Sequence, residues 1–205
     1  MANEIDRVVP PALPLAPEVY ERPYIDQSNS VLRLFFNRLT NVVNTLLSTD
    51  VGGKFLYNPC AAFYSTQDQT ASVVNTGYAV TFNNTSYTST VTLSNNSRIN
   101  VQNSGVYKFD VTLQLEHNNS SETPVTVWEQ KNGSPIAYSA HKFDVKGNDD
   151  YVVHWGFTVS LTANDYIEVY WATGDTQLNL HTAAASSPHP GIPSASIDIA
   201  FVSNV

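Results

Sequence analysis

The chain has 205 residues, 42% of them hydrophobic, enough for one filled core with appendages. Only 14% are charged, and both the first 50 residues (four Arg, six acids) and the remainder (six basic, twelve acids) are acidic, for a net charge of −8. This excludes a basic surface for nucleic acid; the single cysteine excludes an intrachain disulfide, and no apolar run reaches membrane-span length.

Polar surface comes from Asn, Ser and Thr in place of the usual share of charge, about 25%, and that composition suits strands and turns better than surface helices. The first residues carry acids and prolines where a signal peptide has its apolar segment. Cys60 reads as a small buried apolar residue.

Residues 1–27 read as an extended arm. Val8 to Gln27 holds five of the chain's eleven prolines, and proline gives no N–H and pushes its preceding residue toward extended geometry. Pro10, Pro11, Leu13, Pro14, Leu15, Pro17, Tyr20 and Tyr24 are the expected anchoring residues, stiffened in polyproline geometry.

Residues 28–50 read as one amphipathic helix, with Asp26 or Ser28 as N-cap. Leu32, Phe35, Leu39, Val42 and Leu46 fall at alternating spacings of three and four, and Phe36 and Val43 widen the stripe. Such a helix either packs on its own domain or joins identical chains. Apolar a, d and e positions together make a stripe wider than a two-stranded seam needs, which favours a trimer. Gly52 and Gly53 then open a linker over residues 51–59.

From residue 60 to 205 the period changes to two. Tyr107, Phe109, Val111, Leu113 and Leu115 share one face of a strand. Tyr151, Val153, Trp155, Phe157, Val159 and Leu161 share one face of another, and Ile167, Val169, Trp171 and Ile197, Ile199, Phe201 repeat the pattern. Asn132-Gly133 between two strand-like runs is hairpin-turn chemistry. About ten strands at such spacing predict an antiparallel sandwich.

Two resemblances sharpen this. "NSGVYKF", "KNGSPIAY" and "LTANDYIEVYW" resemble the strand and hairpin motifs of the tumour-necrosis-factor and complement-type jelly roll, with Asn164 where that family usually has glycine. The resemblance covers about residues 60 to 205 and implies a mainly β, ten-stranded jelly-roll head that forms trimers around aromatic residues. "PALPLAPEVYERPYIDQSNSVLRLFFNRL" is similar to an N-terminal segment of virion proteins of short-tailed marine phages. That likeness implies that arm and helix attach what the head displays.

Catalytic chemistry is not signalled. His117, His141, His154, His181 and His189 lack local metal-ligand spacing and read as ordinary surface or core histidines, a His141–His154 metal pair across neighbouring strands being the minor alternative. No nucleophile elbow or phosphate-cradling loop occurs. Asp144, Asp149 and Asp150 are either solvated loop acids or oxygen ligands for calcium. Trp128, Tyr166 and Tyr170 lie on the faces of their strands opposite the apolar rows, so they fill an interface or outer core, or offer a sugar-stacking platform.

The resulting expectation is a non-enzymatic homotrimer without cofactor or metal, located in a phage virion. Its partners are other virion proteins of capsid or tail, and it serves as capsid decoration or fibre-like projection. The alternative is a module whose exposed loops recognise a host-surface glycan. Neither nucleic acid nor membrane insertion is expected.

Overall fold

The computed structural model describes residues 11–13, 18–19, 22–47 and 58–204, and the chain divides into two compact units, Met1–Tyr57 and Asn58–Val205. In the first unit, α1 spans Arg22–Leu47. It starts six residues ahead of the expected boundary because Pro23 is accepted in a first turn, where its missing N–H costs nothing. Asp26 and Ser28 are therefore helical residues, not caps. Asp26 instead lies 3.7 Å from the Arg22 guanidinium one turn earlier. Tyr24, expected in the arm, belongs to the first helical turn. Pro11 and Leu13 carry no regular structure, and Leu13 is exposed. Pro10, Pro14, Leu15, Pro17, Tyr20 and most of the linker lie outside the described residues.

The second unit is all β. Its strands are β1 (Cys60–Ser65), β2 (Gln69–Thr70), β3 (Tyr78–Ala79), β4 (Asn84–Ser89), β5 (Val91–Ser94), β6 (Arg98–Val101) and β7 (Gly105–His117). After these come β8 (Thr123–Lys131), β9 (Ser134–Pro135), β10 (His141–Val145), β11 (Asp149–Leu161), β12 (Tyr166–Thr173), β13 (Leu178–Leu180) and β14 (Ala195–Ser203). Ten of the strands have four or more residues, matching the expected ten; β2, β3, β9 and β13 are short additions.

Two antiparallel sheets result. In the first, β11 pairs with β7 along its whole length, and β14, β1 and β4 continue outward from the other edge of β7. Beside the last residues of β7 that edge is taken by β13 and then β2. The second sheet runs β10-β8-β12-β6-β5, with β9 and β3 as side pairings. The inner faces meet in one core. Tyr107, Phe109, Ile167, Trp171 and Ile197 are at most 1% exposed, and fully burying a large apolar side chain contributes about 1.5–3 kcal/mol. Turn chemistry agrees with the sequence: Asn132 and Gly133 have φ of 51° and 78°, and Asn164 takes φ of 74° in glycine's stead.

The register defines two ends of this unit. The chain enters beside Cys60, which pairs with Ala200. The opposite end holds Ser65, His117, Val145, Asp149 and Thr173, together with the loops that leave them.

Candidate functional site

No residue of α1 is buried. Leu32, Phe35, Leu39 and Val42 are half-buried, while Phe36, Val43 and Leu46 are 58%, 40% and 42% exposed. The earlier start adds Ile25 one heptad ahead of Leu32, so the apolar repeat is longer than the sequence reading allowed. A lone helix draws little stability from propensity and needs its apolar face covered. Along α1 the stripe is half-buried or exposed throughout.

A second apolar surface lies where strands β10 and β11, each at a sheet edge, face one another. Val153, Trp155, Phe157 and Val159 do point toward the core, as expected, but remain half-buried because β11 is paired on one side only. Tyr151, expected inward, is 44% exposed and stacks on Phe143 of β10 at 5.9 Å. Trp155 bridges the seam by donating its indole N–H to the buried carboxylate of Glu129 at 2.7 Å. Tyr138, between β9 and β10, is fully exposed at φ 63°, its loop tied to β8 through Ile136 and Ser139.

The aromatic row on the outer face of the second sheet is partly covered by its own chain. Trp128 and Tyr170 stand 5.6 Å apart, tilted by 31°. A Cβ at Gly77 would stand 2.8 Å from the Trp128 ring, so the β2–β3 loop rests against the indole. Arg98 lies over Tyr166 at 4.6 Å and reaches Glu168, which also accepts from Ser97 at 2.6 Å. These contacts favour the outer-core reading of Trp128, Tyr166 and Tyr170 over an open sugar platform.

The far end concentrates the titratable groups. His117 is buried, with Nδ1 3.2 Å from the Lys146 carbonyl oxygen and Nε2 3.3 Å from Asp175 Oδ2. His181 Nδ1 lies 3.1 Å from Asp68 and 3.7 Å from Glu116. Asp149 and Asp150 begin β11 and are not in a loop. With Glu116, His117, Asn118 and Asn148 they line an open hollow of about 310 Å³, to which Asp144 does not contribute. Among the described residues no group of three or more His, Cys, Asp or Glu is placed to hold a metal.

Other expectations change with the register. His141 pairs opposite Val127 in the second sheet and His154 opposite Thr112 in the first, so the two are not strand neighbours. His154 instead shares a hydrogen bond with Thr112. His189 is exposed and contacts the Pro190 carbonyl. Cys60 is half-buried and not in the core, since its parity places it on the outer face of β1. Sequence reading passed over Glu129 and His117 as site residues. Their signal was parity alone, each continuing an inward apolar row as a polar residue.

No family model matches the chain, and no curated protein matches it. Solved structures do. The crystal structure of murine APRIL at pH 5.0 is 11% identical, covering 70% of this chain and 99% of that one, with a TM-score of 0.48. The globular domain of zebrafish complement 1qA protein is 12% identical, covering 72% of this chain and 99% of that one, with a TM-score of 0.47. The two-sheet architecture of the head is defined by its own strand pairing.

Proposed function

We propose that the chain is a non-enzymatic structural component of a phage virion, a homotrimer attached through its N-terminal arm and displaying the jelly-roll head outward. The observation that carries this reading is the stripe from Ile25 to Leu46, a continuous apolar heptad face with no buried residue in the single chain. The half-buried row Val153–Val159 on edge strand β11 supports it, because an unpaired edge with apolar neighbours is the part of a sheet that a sister chain covers. The resemblance of about residues 10 to 39 to an N-terminal segment of phage virion proteins supports the location and an attachment role for the arm. A proline-stiffened arm loses less conformational entropy on docking than a flexible one, so it suits attachment to a capsid or tail protein.

Particle incorporation tests the reading. Removing residues 1–21 spares α1, and the shortened protein should fold and associate yet be missing from purified particles. Shortened protein that still enters particles at the full-length level would show that the arm is not the anchor.

A further inference from the structure

His117 presents a problem of proton counting. The Lys146 carbonyl oxygen and the Asp175 carboxylate both accept hydrogen bonds, and each faces one ring nitrogen. A neutral imidazole has a single N–H, so it satisfies one of them; the doubly protonated ring satisfies both. Asp175 is not the donor. Its Oδ1 accepts from the Gln177 N–H and its Oδ2 from the Asn119 amide. The Gln177 N–H first, then Asn119, hold its carboxyl below the ordinary carboxylate range against the opposing effect of burial, and His117 adds to the lowering.

We propose that the folded head carries His117 as an imidazolium, and that this charge clasps three far-end loops which loosen together when the ring loses a proton. The loops are β7–β8, through Asn119; β10–β11, through the Lys146 carbonyl; and β12–β13, through Asp175. They also meet directly. Asn148 N–H donates to the Asn119 carbonyl, Asn118 N–H donates to the Gln177 carbonyl, and a Cβ on Gly147 would stand 2.2 Å from the Ser120 backbone. In the proposed switch this junction is closed on the cation and opens around a neutral ring.

The charged groups around the ring are mostly acidic. Besides Asp175, His117 faces Asp149, its cross-strand partner on β11, with Asp150 and Glu116 lining the same hollow. From β13 its partner is the uncharged Leu178. Lys146 contributes its carbonyl while the residue itself is exposed. Histidine is the side chain that ordinarily changes charge between about pH 5 and 8. The clasp belongs to the head and does not depend on what carries it.

Ring-nitrogen NMR of full-length protein labelled at histidine tests the clasp. At about pH 5.5 both His117 nitrogens should carry the protonated signature. Amide exchange at Asn118, Asn148 and Gln177, corrected for its intrinsic pH dependence, should quicken about tenfold or more by pH 8.5. In His117→Gln that pH dependence should vanish. A His117 ring with one protonated nitrogen at every pH where the protein is folded overturns the proposal, and so does exchange that is equally slow throughout. The ring signals of the unmutated protein decide the matter even if the variant fails to fold.

Discussion

Trp155 and Glu129 are joined across the two sheets: the indole N–H of β11 donates to a carboxylate on β8 that is 2% exposed. A buried carboxylate deprived of a donor costs more than the hydrogen bond itself contributes. Trp155→Phe keeps most of the ring and removes the donor, so it should lower unfolding free energy by about 1–3 kcal/mol in urea titrations. Glu129→Gln keeps an acceptor oxygen and should lose less. Equal stability of Trp155→Phe and the parent would show that the bridge contributes nothing.

Tyr107 carries the alkaline response of the core. Its hydroxyl donates to the Asn103 carbonyl, and burial pushes the phenol up to about 12. Between the ordinary tyrosine value, about 10, and that value the unfolded chain ionises while the folded one does not. The stability Tyr107 confers is therefore complete below about pH 10 and lost as pH rises through about 12. Tyr107→Phe should cost about 1 kcal/mol at neutral pH and flatten the alkaline decline. Thermal unfolding followed from pH 9 upward checks both parts, and parallel curves for the two proteins would contradict the account.

Gly105 is held to glycine by space as well as by angle. It has φ of 158°, and a Cβ there would stand 2.2 Å from the Phe201 ring. Gly105→Ala should destabilise by about 1–3 kcal/mol through overpacking. Pairing it with Phe201→Leu should recover part of the loss, since the shorter side chain vacates the ring's place. Full additivity of the two losses in a denaturation cycle would show that the contact is not the cause.

Strand β7 was legible because its alternation coincides with burial: Tyr107, Phe109, Val111, Leu113 and Leu115 are all fully buried. Strand β11 shows the same alternation, yet Trp155 and Phe157 stay half-buried, because period two reports which face a residue is on and not whether the edge is covered. The start of α1 was misplaced because Asp26 and Ser28 resemble caps, while Pro23 in the first turn was the better signal. The far-end cluster was not legible. His117 and Asp175 are 58 residues apart, and only the register of β7, β13 and β11 brings them together.

Whether the stripe of α1 joins three chains is decided by sedimentation equilibrium of the full-length chain beside a Phe35→Asp, Leu39→Asp double variant. Both substitutions lie on the stripe of α1, where none of its residues is buried in the single chain. The parent should sediment at three times the chain mass and the variant should shift toward single chains, with the β-rich circular dichroism of the head retained. A parent that sediments as one chain at micromolar concentration would contradict the trimer.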